Sequence, residues 1–220
     1  MIEICIAAAI VGWAGFFWLL YCRLLDVKQS RATANIQPSI AQIFEVLSDE
    51  ERRLMAYHEA GHAVVSMNMP QREPLIKVTI IPSELGFGVT QTQPRMKFNG
   101  TIVSMSSSVA VFLAGRLAEE LFCNEITTSA YNDFIQANQI AREMVVCFGM
   151  GTKTRFFIPD DRASEAFRRQ ADEDVMEILN NAQATALKIL KERADDVHRI
   201  AKELLEKGTI EIAAKNAKNA

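Results

Sequence analysis

Residues 58–62 read His58-Glu59-Ala60-Gly61-His62, and this run constrains the fold more than any other part of the chain. On a helix, residues four apart project from one face, so His58 and His62 can offer two imidazole nitrogens to one cation while Glu59 reaches a water bound to it. A metal lowers the pKa of that water toward ~7, and a carboxylate beside it can take the proton and later hand it to a leaving amine. The alternative is an ordinary amphipathic helix with two histidines in chance register. The whole chain has three histidines, and two of them flanking a glutamate at this spacing argue against chance. The pattern implies a metal-dependent peptide hydrolase. Gly61 adds to it, because a glycine inside a helix costs ~1 kcal/mol against alanine and is retained where a neighbour packs closely. Ala60, Ala63, Val64 and Val65 supply the apolar face for that packing.

A catalytic zinc needs a third protein ligand. The metzincin pattern would put a glycine and a histidine three and six residues after His62, where the chain has Val65 and Asn68, so that subclass is excluded. The remaining candidates are Glu119, Glu120, Glu125, Asp133 and His198, and spacing does not choose among them. His198 lies between apolar neighbours near the C-terminus and reads as structural.

The helix that holds the motif has a clear start. Ser48-Asp49-Glu50-Glu51 has the form of a capping box, and the helix is expected to run to about Met67. Residues 75–82, LIKVTIIP, and 86–93, GFGVTQTQ, alternate as two strands joined by a turn near Ser83-Glu84. Helical spacing returns from Thr101 to about Phe122. Thr127, Thr128 and Ser129 offer cap side chains for a further helix ending near Phe148, with Gly149 as its stop. Beyond a loop at Pro159-Asp160-Asp161, apolar residues from Val175 to Leu204 recur every three or four positions, with a break near Arg193 to Asp196. This predicts a helical hairpin whose second arm is capped by Asp195 or Asp196. The fold class expected is mainly α, a helical metallopeptidase domain over 48–208 with a small β-sheet, followed by a flexible tail, 209–220.

The N-terminus is of another kind. Residues 4–22, ICIAAAIVGWAGFFWLLYC, carry no charge, and nineteen residues at ~1.5 Å rise span roughly 28 Å, close to the bilayer core. With Glu3 in place of a basic n-region and no A-x-A-like site, the stretch reads as a single transmembrane anchor, 1–25, rather than a cleaved leader. Arg23, Lys28 and Arg31 follow it, which places the C-terminal bulk on the cytosolic side. Residues 26–47 read as a tether. The 24 basic and 27 acidic side chains are mixed along the chain, so no basic stripe marks a nucleic-acid partner. Cysteines at 5, 22, 123 and 147 form no C-x-x-C pair, and two of them lie in the apolar stretch, so the sequence suggests neither a thiolate zinc site nor a disulfide framework.

Five separated segments then agree with one family. YHEAGHAVV (57–65), KVTIIP (77–82), AGRLAEEL (114–121), ITTSAYND (126–133) and AREMVVCFGM (141–150) resemble, in the same order, the peptidase domain of the FtsH family of membrane-anchored AAA+ zinc proteases, over about residues 46–207. The resemblance implies zinc as cofactor, Asp133 as third ligand beside His58 and His62, Glu59 as catalytic residue, and polypeptides as substrates. It leaves Glu119 and Glu120 as helix surface or as support for the ligands. It further implies a cytosolic domain at a bacterial-type inner membrane, in a hexamer or in co-assembly with an AAA+ protease. Two positions depart from the family pattern, Ser129 where glycine is usual and Tyr131 where a small residue is usual, so the rim of the site is expected to differ. None of the ten glycines begins G-x-x-x-x-G-K-[ST], so the reading is a peptidase acting without an ATPase of its own. The alternative is an interaction subunit that keeps the peptidase fold in order to co-assemble with ring-forming relatives.

Overall fold

The computed structural model describes residues 47–71, 73–81, 88–92, 99–156 and 162–212, all within one compact unit, Ile40–Ala220. The expected anchor, all of the tether but Leu47, the turn at Ser83-Glu84, the loop at Pro159-Asp160-Asp161 and the tail from 213 lie outside the described residues.

Helix α1, Asp49–Asn68, begins as expected. Ser48 accepts from the Glu51 amide and the Glu51 carboxylate accepts from the Ser48 amide, which satisfies two amides that have no partner inside the helix. Its buried face runs through Ala56 and His58 to Ser66. Helix α2, Ile102–Ala118, is capped in the same way by Thr101 and Ser104. α1 packs against α2 with Gly61 at the crossing: a Cβ there would lie 2.6 Å from the Ala114 carbonyl oxygen and 2.6 Å from Ala118 Cβ. The glycine is what lets the two helices approach this closely. Helices α3 (Tyr131–Val146) and α4 (Glu165–Glu192) also pack on α2, and α5 (Ala194–Lys207) packs on α1. Ile102–Cys123 is the one stretch among the described residues long and apolar enough to cross a bilayer. It is the helix on which α1, α3 and α4 pack, and burial in the core accounts for its composition.

A small antiparallel sheet completes the mainly α fold. Its order is β2-β1-β3, with β1 Leu75–Thr79, β2 Val89–Thr92 and β3 Thr209–Glu211. Val78 pairs with Thr90 on one side and Ile210 on the other, which leaves β2 as an edge strand among the described residues.

Several local expectations are corrected. After Ala118 the backbone continues as a π-helical turn, Glu119–Cys123. Thr127, Thr128 and Ser129 do not cap α3, whose N-cap is Ala130 without a side-chain bond, because Thr127 and Ser129 turn their hydroxyls to Glu119. Asp195 and Asp196 do not cap α5. Its N-cap is Arg193, and both acids sit in the first turn, where a negative charge favours the positive end of the helix dipole. Residues 209–211, expected to begin a flexible tail, form β3, entered through Gly208 at φ 70°, a left-handed turn that glycine takes at no steric cost.

Candidate metal centre

His58 and His62 lie one turn apart on the buried face of α1, and Asp133 comes in from the first turn of α3. The three meet. His58 Nε2 is 3.1 Å from Asp133 Oδ2, His62 Nε2 is 3.2 Å from the same oxygen, and the two Nε2 atoms are 3.0 Å apart. Ligands about 2.0–2.1 Å from a tetrahedral ion lie about 3.3 Å from one another, so this triangle has nearly the size a zinc ion requires. Among the described residues it is the one group of three metal-ligating side chains.

The far sides of the rings decide which lone pairs face inward. His58 Nδ1 lies 2.6 Å from Glu119 Oε1, and His62 Nδ1 lies 2.7 Å from the Val111 carbonyl oxygen. A carbonyl and a carboxylate only accept, so both Nδ1 atoms carry hydrogen and donate. In the neutral rings each Nε2 is then a lone pair, and two lone pairs face a carboxylate oxygen at hydrogen-bond distance. Such a cluster calls for positive charge at its centre. His58 shows this in its protonation: burial pushes its pKa down, but hydrogen bonds with Asp133 and Glu119 and the nearby Glu59 charge outweigh burial and hold it at about 10. Burial likewise pushes Asp133 up, and hydrogen bonds from His58 and His62 with their charge hold it below the ordinary carboxylate range. The N-terminal end of α3 favours the ionised form as well. The donor set of two imidazoles and one carboxylate suits zinc.

Glu119 is 1% exposed, and three groups besides His58 explain how its charge is tolerated. Oε2 accepts from Thr127 Oγ1 at 2.8 Å and from the Thr127 amide at 3.3 Å, and Oε1 accepts from Ser129 Oγ at 2.5 Å. Burial raises its pKa, while the bonds to His58, Ser129 and Thr127 bring it below the ordinary value. Oriented this way, Glu119 fixes the tautomer and the plane of His58. Glu120 sits elsewhere, paired with Arg116 at the surface, and Glu125 is exposed. His198 belongs to another cluster: its Nδ1 meets the Tyr57 hydroxyl at 2.9 Å, and Phe122 completes the aromatic group.

Glu59 projects beside the triangle and is 7% exposed. Its Oε2 accepts from Thr90 Oγ1 at 2.8 Å, and Gly88 faces the carboxylate so closely that a Cβ would overlap it. Gly115 of α2 lies behind the histidines, where a Cβ would be 2.5 Å from His62 Nε2 and 2.6 Å from His58 Nε2. Gly88, Thr90 and Gly115 lie outside the candidate site residues that the sequence pattern singles out. A glycine inside the apolar run of α2 was a visible signal; nothing in the pattern of β2 singled out Thr90. The triangle and Glu59 open into a cleft of about 750 Å³ that runs between α1, β2 and the 127–133 segment.

A buried pair of helix-borne histidines, the intervening glutamate and a carboxylate from a second helix define the class: a helical domain with an H-E-x-x-H metal centre. The chain belongs to peptidase family M41, whose family model matches residues 45–217. It is similar to the ATP-dependent zinc metalloprotease FtsH of Slackia heliotrinireducens, 37% identical over 182 residues covering 76% of this chain and 23% of that protein. The FtsH of Caldicellulosiruptor bescii is 33% identical over 210 residues, 84% of this chain and 34% of its own length. In mouse, the mitochondrial inner membrane m-AAA protease component AFG3L1 is 36% identical over 179 residues, 77% of this chain and 23% of that protein. The chain therefore spans between about a quarter and a third of the length of these relatives.

Proposed function

We propose that this chain is a zinc-dependent endopeptidase that hydrolyses peptide bonds in flexible or unfolded polypeptides beside a membrane. The convergence of His58 Nε2, His62 Nε2 and Asp133 Oδ2 next to the Glu59 carboxylate carries this reading. Zinc held by the three groups supplies a water of lowered pKa and polarises the scissile carbonyl.

The protein's own residues do the rest. Glu119 and the Val111 carbonyl hold the two rings in the tautomer that presents Nε2. Glu59 accepts the proton of the attacking water and delivers it to the leaving amine. Val89, Thr90 and Thr92 of β2, an edge strand among the described residues, line the cleft, and an extended segment paired there would be held by main-chain hydrogen bonds, a mode that tolerates many sequences. The uncharged stretch 4–22 supports placement at a membrane, as does the similarity to the mouse mitochondrial inner membrane m-AAA protease component.

The test is zinc content and casein cleavage by the full chain purified in detergent, with Glu59→Gln as control. About one zinc per chain is expected in both proteins, with cleavage only in the wild type. Protein that takes up no zinc, or equal cleavage by the variant, sinks the reading.

A further inference from the structure

Glu59 can serve as a base only if its carboxylate is held toward the water it would deprotonate, and a glutamate side chain has three torsions with which to leave. α1 fixes only its Cα. Among the described residues, the groups that meet the carboxylate come instead from β2 and the residue before it. Thr90 Oγ1 donates to Oε2 at 2.8 Å and lies 3.5 Å from the Glu59 carbonyl oxygen. Gly88, two residues earlier and so on the same face of the strand, borders Oε1, Cδ and Cγ so closely that any side chain there would displace them. One oxygen is thus tied to a hydroxyl, and the other is left free of a covering side chain at position 88.

We propose that Thr90 is a positioning residue for the reaction: its hydroxyl holds the Glu59 carboxylate in the rotamer that accepts the proton, and Gly88 leaves the space that rotamer occupies. This rests on the peptidase reading above. Thr90 acts through Glu59 and has no part in holding metal, since its hydroxyl is spent on that carboxylate. Its backbone pairs with Val78 in the ladder, a role that survives any side-chain change of the same shape.

The experiment compares Thr90→Val, which keeps the shape and removes the donor, with Thr90→Ser, which keeps the donor. Both are measured in the whole 220-residue chain on a quenched fluorescent peptide, with zinc content, melting temperature and Glu59→Gln alongside. Loss of a hydrogen bond to a charged group that orients a catalytic side chain is expected to lower kcat at least about tenfold in Thr90→Val, with KM within about twofold. Zinc content and melting temperature stay at the wild-type level, and Thr90→Ser recovers most of kcat. A Thr90→Val kcat within about twofold of wild type, with Glu59→Gln inactive, overturns this inference and leaves the peptidase reading standing. So does a Thr90→Ser no better than Thr90→Val, or a kcat loss matched by loss of zinc or of melting temperature. An inactive wild type, or an active Glu59→Gln, overturns both.

Discussion

At the scale of single residues, two glycines that the chain spends inside helices have separable jobs. Alanine at either position gains helix propensity worth ~1 kcal/mol, so any loss must come from what the new methyl meets. At Gly61 it meets the Ala114 backbone carbonyl and Ala118, neither of which can rotate away. Gly61→Ala is expected to destabilise the fold by about 1–3 kcal/mol through overpacking, measured by urea unfolding. At Gly115 the methyl would sit against His58 Nε2 and His62 Nε2, the atoms that face the metal. Gly115→Ala is therefore expected to keep near-normal stability without metal and to lose zinc affinity by about tenfold or more, read by competition with a chromogenic chelator. Equal zinc affinity in the variant would show that the rings tolerate the intrusion. The sequence alone flagged Gly61 because the surrounding run was already a metal motif. Gly115 bore the same cost inside a helix, but what a glycine faces is a property of the partner helix, which periodicity does not record.

Element by element, what was legible was what neighbours in sequence determine. The capping box at Ser48, the break at Arg193 and the extent of α1 all depend on residues a few positions apart, and the structure follows them. The cap of α3 failed for the opposite reason: Thr127 and Ser129 had a better acceptor in the buried charge of Glu119, which the π-helical turn swings toward them. β3 was missed because three residues are too few to show a period of two. The same long-range logic pins the turn after α3. Asp174 on α4 is 1% exposed and accepts from the amides and hydroxyls of Thr152 and Thr154 and the amide of Lys153. Burial opposes its charge, but these bonds outweigh burial and hold its pKa at about 2 against an ordinary 3.8. A pKa lowered by folding contributes stability that is complete above the unfolded value and is lost as pH falls from about 4 toward 2, here about 2 kcal/mol in all. Asp174→Asn is expected to be less stable than wild type at pH 6, with the gap narrowing by about 1 kcal/mol at pH 3. Urea melts at the two pH values decide it, and a gap independent of pH would remove Asp174 from the acid response.

For the molecule as a whole, the metal centre is also a joint. α1 contributes His58 and His62, α3 contributes Asp133, and α2 with its π-helical turn contributes the groups that steer both rings, Val111 and Glu119. α1 and α3 both pack on α2, and the triangle ties them to each other. Without a cation that tie needs a proton shared among groups that otherwise repel, so a bound ion should brace the 127–133 segment and the start of α3 more than the apolar core. Binding only to the folded state stabilises by mass action, about 4 kcal/mol at free zinc a thousandfold above Kd. Chelation is therefore expected to lower the melting temperature and to speed amide exchange first at 127–135, while Ala60, Val64 and Val109, all fully buried, keep their protection until global unfolding. In Asp133→Ala the chelator should have little further effect, because one corner of the joint is already gone. Uniform loss of protection across the domain would instead mean that the ion holds the whole fold together, and no loss at 127–135 would mean that Asp133 is not tied to it.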